Sequence, residues 1–282
     1  KKFDNDYSIK TLYPGCYEGN TYFINELRSL IKIYIKENLE MSGIKVKKID
    51  TNFINKYENQ INKILTLSKN GAIYPKDETQ LIYNLIVNYI LKSIKNILPY
   101  IEKINYPTIR FKTKNKSSNG FSTDKLHSDG WSSGKTSDAV ISFPILGDIK
   151  NNNVDFYKLN KVKKSFFSEK KDYDNTKNLY GKIKKIYNLK NSKWVIFDHS
   201  ILHRTNAKDK CKPRVSVDMI VKIKKKEDKR NHVTKNFYST QKFEKIGVKT
   251  FIKSMENYNQ LLRRIKSKNR NKKFISQKLF TI

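Results

Sequence analysis

Trp194-Val195-Ile196-Phe197-Asp198-His199-Ser200-Ile201-Leu202-His203-Arg204-Thr205-Asn206, followed by Pro213-Arg214-Val215-Ser216-Val217-Asp218, is the stretch on which the fold turns. An apolar strand runs into a turn from which a histidine emerges. A second strand then puts Arg214 and Ser216 on one face and Val215 and Val217 on the other, because side chains alternate along an extended chain. The valines face core. A forked guanidinium beside a hydroxyl suits a buried carboxylate, whose desolvation is offset by two parallel charge-assisted hydrogen bonds.

Outward from this stretch the strand pattern continues. Thr108–Lys114 and Val154–Leu159 alternate, Ala139–Leu146 is apolar and β-branched, and Lys193–Asp198 and Val215–Ile223 complete the set. Between Lys161 and Asn191 the pattern is polar and broken, as expected of a loop with one or two edge strands. Upstream, apolar residues recur at helical spacing over Tyr22–Met41, Phe53–Leu67 and Glu78–Ile101, and they do so again downstream over Phe251–Ile265. Helices first, then short strands without intervening helices, argue for an α+β fold with an antiparallel barrel or sandwich. No repeat and no Pro-, Gly- or Ser-rich linker divides the chain. One domain is expected: a helical part over 1–106, a strand core over 107–224 and a C-terminal helical extension over 225–282.

With 282 residues, 37% hydrophobic and 12% aromatic, the chain can bury a sizeable core. Its formal charge of +33 points toward anionic partners. The excess is nearly all lysine, however, spread from end to end beside abundant Asn and Ile. Arginine, the better residue for forked phosphate and base contacts, is scarce. The charge therefore reads as a solvated basic surface rather than a dedicated nucleic-acid site. Leu81–Leu98 is interrupted by Asn84, Asn88, Lys92, Lys95 and Asn96, which suits a buried amphipathic helix and not a membrane span. Cys16 and Cys211 form no ligand cluster, and the polar opening KKFDNDYS has no secretory pattern. A cytoplasmic protein with reduced thiols and no membrane partner is expected; nothing fixes its oligomeric state.

The four histidines are His127, His199, His203 and His232. In Leu126-His127-Ser128-Asp129-Gly130-Trp131 an extended backbone would point His127 and Asp129 the same way. An imidazole nitrogen and a carboxylate oxygen could then take adjacent positions on one metal. A third imidazole from a distant strand would complete a facial triad of the kind that suits non-haem Fe(II), with open positions left over. Alone, His-x-Asp is a weak signal, equally read as a polar turn in which Asp129 caps an amide.

Several neighbours carry two readings. His199 competes with His203 for the third ligand, or caps the turn. Asp198 either orients a histidine N–H or ends its strand by binding backbone amides, and Asn206 is similarly ambiguous. Trp131, Ser132 and Ser133 follow the motif and either shape a substrate mouth or, for Trp131, pack in the core. Arg110 and Arg204 can meet an anionic substrate group or pair with a structural carboxylate. Lys125 is a solvated lysine or a contact to a ligand. His232 lies in a Lys-rich segment and reads as surface.

The ordered set His127-x-Asp129, His203, Arg214-x-Ser216 resembles the Fe(II)/2-oxoglutarate-dependent oxygenase superfamily. Phe197 to Arg204 looks most like its phytanoyl-CoA-dioxygenase-like branch. The resemblance covers roughly Thr108 to Ile223. It implies a double-stranded β-helix (jelly-roll, cupin-like) core with N-terminal helices and a C-terminal helix. It also implies Fe(II) on His127, Asp129 and His203, with 2-oxoglutarate on Arg214 assisted by Ser216. O2 would be consumed, and Trp131, Ser133, Arg110 and Arg204 would lie on the substrate side. His203 fits the third-ligand position because it lies after the turn and shortly before Arg214. Asp129 retains the carboxylate that related halogenases lack, which favours hydroxylation, desaturation or ring closure. A small polar metabolite such as a sugar or amino-acid derivative suits the serine-rich strip at Ser128–Lys135 better than an acyl chain. Two other functions compete: a cupin-like metal isomerase or epimerase without cosubstrate, and a basic nucleic-acid-binding protein.

Overall fold

A computed structural model of the chain describes residues 10–13, 16–66, 71–94, 101–105, 107–113, 122–133, 138–167, 169–223 and 279–281. In order, the elements are β1 (Lys10–Tyr13), β2 (Cys16–Asn20), α1 (Ile24–Glu40), α2 (Phe53–Lys56), α3 (Glu58–Gln60, running into a π turn), β3 (Ala72–Ile73), α4 (Gln80–Ser93), β4 (Ile101–Asn105), β5 (Thr108–Lys112), α5 (Gly130–Ser133), β6 (Asp138–Gly147), β7 (Asn152–Leu159), β8 (Ile183–Asn188), β9 (Lys193–Asp198), β10 (Leu202–Ala207), β11 (Arg214–Ile223) and β12 (Leu279–Thr281).

The strands form two antiparallel sheets. The larger runs β1-β2-β9-β6-β11-β4-β12, with β5 on β11 and β3 on β5; the smaller runs β10-β7-β8. His127 bridges His203 on the free side of β10 and so adds a single-residue rung to the smaller sheet. From β5 to β11 the chain passes between sheets: β5, the His127 rung, β6, β7 with β8, β9, β10, β11. This is double-stranded β-helix winding, an α+β fold once the helices are added.

Period-two alternation sorts the larger sheet into two faces. Ile109 and Phe111 of β5, Ile141, Phe143 and Ile145 of β6, Trp194 and Ile196 of β9, and Val215 and Val217 of β11 all join one cluster. The helices complete that cluster. α1 offers Leu27, Ile31, Tyr34, Ile35 and Leu39, and α4 offers Tyr83, Ile86, Val87 and Ile90, each set on one helical stripe. Most of the hydrophobic stabilisation lies in this outer layer, since each fully buried large apolar side chain contributes about 1.5–3 kcal/mol. The opposite face turns toward the smaller sheet, where Val140, Val195 and Phe197 meet Phe156 and Tyr187. Because apolar packing anchors the sheet from outside, the inner face is free to carry polar groups.

Several expectations need correction. The helix expected over Phe53–Leu67 is broken at Tyr57, whose backbone (φ −106°, ψ 19°) leaves the helical region. α4 stops at Ser93 rather than Ile101, and Ile101 begins a strand paired with β11. The polar Lys161–Asn191 region does hold one edge strand, β8. The helix read over Phe251–Ile265 and most of the 225–282 extension lie outside the described residues. Among the described residues no helix is long and apolar enough to cross a membrane.

Gly147 ends β6 with φ +89°, facing Arg214 in the β6–β11 register. A Cβ there would collide with the Pro213 carbonyl oxygen and sit 3.0 Å from Arg214 Cα. Gly147→Ala is therefore expected to cost more than about 1 kcal/mol, read as a lower urea midpoint at unchanged slope. An unchanged midpoint would show that the turn tolerates a side chain.

Candidate metal and carboxylate site

Between the sheets lies a cavity of about 290 Å³ that brings together His127, Asp129, His203, Arg214 and Ser216. The two histidines face each other across the rung: each backbone N–H donates to the other's carbonyl at 2.9 Å, so their side chains leave the same face. Asp129 arrives differently from what strand alternation suggests. Beyond His127 the chain turns, with Gly130 N–H bonded to the His199 carbonyl at 3.1 Å and Ser128 Oγ to the same oxygen at 2.5 Å. That turn brings the carboxylate back toward the Nε2 atoms of both rings. Asp129 Oδ1 lies 3.8 Å from His127 Nε2 and 3.6 Å from His203 Nε2. The three ligand atoms all fall within 4.8 Å of one another and can hold a metal ion.

The rings are set for that task. His127 Nδ1 donates to the Lys125 carbonyl at 2.8 Å and His203 Nδ1 to the Ile201 carbonyl at 3.0 Å. A carbonyl only accepts, so each Nδ1 carries the hydrogen and each Nε2 presents its lone pair to the centre. Burial, with His203 close by, pushes the His127 pKa down to about 3, which keeps the ring neutral and able to ligate. Burial alone would raise the Asp129 pKa; the histidines when protonated, His203 first and then His127 and His199, and the Arg110 guanidinium hold it below the usual carboxylate value. Phe156 and Phe197 flank the His203 ring at centroid distances of 5.9 and 4.9 Å.

Arg214 forms the cavity's other pole. It is 2% exposed, and among the described residues its Nε and Nη1 have no hydrogen-bond partner. Burial pushes its pKa down to about 10, with Asp218 opposing. A desolvated guanidinium with two nitrogens left without hydrogen bonds is costly unless an anion meets it. Ser216, also 2% exposed, faces the same space two residues along β11. Lys112, which the sequence reading passed over, pairs with Arg214 across β5–β11 and lines the cavity too. Burial first, then Arg110 and Arg214, push its pKa down to about 8 against the pull of Asp218 and Asp124.

The remaining candidates separate. Arg110 lines the cavity and is ion-paired to Asp218 at 2.6 Å, while Ser142 donates to the other oxygen of that carboxylate at 2.5 Å. Arg204 does not reach the cavity. It is exposed on the outer side of β10, 5.8 Å from the Tyr157 ring, because it follows His203 by one residue and so takes the opposite face. Trp131 is core: it is fully buried and its Nε1–H donates to the Phe166 carbonyl at 2.7 Å. Ser133 closes α5, and its side chain lies outside the described residues, as does His232. His199 lines the cavity but stands apart from the three-residue ligand group. Asp198 Oδ1 accepts from Ser200 N–H at 3.0 Å, the strand-ending role, and Asn206 donates to Asp155 at 2.8 Å. Lys125 pairs with Asp174.

No protein-family model matches the sequence, and no curated protein does. Among solved structures the chain is similar to EctD from S. alaskensis, determined with 2-oxoglutarate and 5-hydroxyectoine (15% identity over 74% of this chain and 72% of that one, TM-score 0.44). It is also similar to the non-heme α-ketoglutarate-dependent carbocyclase SnoK from nogalamycin biosynthesis (9% identity, 74% and 80%, TM-score 0.43). A third is the non-heme monooxygenase ThoJ (12% identity, 90% and 94%, TM-score 0.44). These likenesses concern architecture; the chemistry of the cavity rests on this chain's own residues.

Proposed function

We propose that the chain is an Fe(II)- and 2-oxoglutarate-dependent oxygenase that hydroxylates a small polar metabolite, a sugar or amino-acid derivative being the favoured class. The observation that carries this reading is the pairing, in one cavity, of a two-histidine, one-carboxylate ligand group with a buried guanidinium, two of whose nitrogens have no hydrogen-bond partner among the described residues. A facial set of two imidazoles and one carboxylate suits Fe(II) and leaves positions open. An unsatisfied guanidinium in the same enclosure calls for a carboxylate, which a cosubstrate-free cupin isomerase has no need of.

His127, Asp129 and His203 would hold the iron, and Arg214 with Ser216 would hold the distal carboxylate of 2-oxoglutarate, with Lys112 adding positive charge at that end. When bound, iron with 2-oxoglutarate and O2 supplies an oxidant able to attack a C–H bond, with succinate and carbon dioxide as coproducts. The residues supply placement. Val140, Phe156 and Phe197 give the inner wall an apolar, water-poor lining. Thr108, Ser142, Thr205 and the Arg110–Asp218 pair offer hydrogen bonds for a substrate. A volume of about 290 Å³, shared with a five-carbon cosubstrate, leaves room for a small molecule rather than an acyl-coenzyme A.

Purified protein given Fe(II), ascorbate, 2-oxoglutarate and air is expected to release succinate slowly even without substrate. Stripping metal with a chelator should stop this, and Fe(II), but not Zn(II), should restore it. Succinate release that survives metal removal would rule the reading out.

A further inference from the structure

We propose that Tyr173 is a positioning residue of the metal centre: its ring holds the His127 imidazole in the ligating orientation before any metal arrives. This rests on the metal-binding reading above. Tyr173 belongs to the polar strap between β7 and β8, far from the ligand motif in sequence. Its ring nonetheless stacks on His127 at 4.5 Å with planes 17° apart, and it lines the cavity. The hydrogen bond from Nδ1 to the Lys125 carbonyl fixes one edge of the His127 ring but leaves the ring free to tilt about that edge. A flat face packed parallel to the ring removes the tilt, which a hydrogen bond cannot do alone.

The strap is anchored well enough to impose this. Lys170 N–H donates to the Trp131 carbonyl at 2.8 Å, and Thr176 Oγ1 to the Tyr173 carbonyl at 3.0 Å. Asp174, the next residue, pairs with Lys125, whose own carbonyl receives the His127 N–H. Ligand and strap therefore share one anchor. The Tyr173 ring also packs with Trp131, Phe166 and Leu179 in a satellite core. Ser132, in the same cavity lining, donates its Oγ–H to the Asp129 carbonyl at 3.1 Å, so the ring and the support of the carboxylate ligand line one wall. One side chain thus borders the surroundings of two of the three ligands, and position rather than chemistry is what it contributes.

Co(II) titration of the full chain without cosubstrate, followed by its d–d absorption, separates the possibilities. Tyr173→Phe keeps the flat face and is expected to bind within about threefold of wild type. Tyr173→Ala and Tyr173→Leu, the latter preserving bulk in the satellite core, are expected to bind about tenfold or more weakly, with altered d–d intensity. The inference is overturned if Tyr173→Leu melts lower yet binds Co(II) with wild-type affinity and spectrum, since the ring would then be structural only. Equal losses in Tyr173→Phe and Tyr173→Leu would overturn it too, by moving the effect to the hydroxyl. A wild type that takes up no Co(II) would instead defeat the metal-binding reading on which the inference rests.

Discussion

His203→Ala should abolish turnover and weaken Fe(II) binding by at least about 100-fold, while leaving the fold intact. The two backbone hydrogen bonds that pair residues 127 and 203 do not involve the imidazole, so the rung survives the substitution. What is lost is one of three ligand atoms, and among the described residues no other joins the group to replace it. His199 lines the cavity, yet it is not among the residues whose ligand atoms converge. His199→Ala is the matched control and should retain iron. Far-ultraviolet circular dichroism with an iron-binding titration checks both variants. Iron retained by His203→Ala and lost by His199→Ala would exchange their roles.

Arg214→Met carries the second large effect, and its two parts have opposite signs. At neutral pH the guanidinium is charged, buried and without a partner for two of its nitrogens among the described residues. Its folded pKa, about 10, lies below the ordinary value of 12.5, so the folded state binds its proton less tightly than the unfolded state does. That penalty is fully present below pH 10 and fades as pH rises from there toward 12.5. An apolar residue of similar length removes it, and the variant should melt above wild type in the absence of ligand. The same change removes the partner for a carboxylate. Two parallel charge-assisted hydrogen bonds contribute roughly 3 kcal/mol or more, so the apparent KM for 2-oxoglutarate should rise about 100-fold or more. Added 2-oxoglutarate should stabilise wild type and not the variant. A variant that melts lower than wild type and keeps its KM would give Arg214 a structural role.

The site was more legible in the sequence than the scaffold around it. β5, β6, β9 and β11 announce themselves because one face packs on the helical layer and must be apolar, and β7 does so because Val154, Phe156 and Tyr157 pack inside the smaller sheet's own clusters. β10, Leu202–Ala207, is equally a strand but reads as nothing: His203 and Thr205 point into a polar cavity and Arg204 into water. A functional strand loses the pattern by which strands are recognised. β2 hides for a related reason, since Glu18 within it is buried and satisfied by the Tyr187 hydroxyl, a partner more than a hundred residues away. His127 and Asp129 were found by their spacing, though a turn and not continuous extension brings them together. Tyr173 gave no signal at all. Its role comes from a strap folding over the ligand, and nothing local in Lys161–Asn191 encodes where that strap lands. Arg204 and Trp131 show the converse: neighbours of a ligand in sequence, they take the opposite face or the core.

Anaerobic titration of the wild-type protein with Fe(II) and 2-oxoglutarate, watched for a visible metal-to-ligand charge-transfer band, tests the central claim most directly. The band should appear only when both are present, be absent in His203→Ala, and need far more 2-oxoglutarate in Arg214→Met. Folded wild-type protein that binds Fe(II) yet shows no band at saturating 2-oxoglutarate would contradict the account and leave a metal site without this cosubstrate.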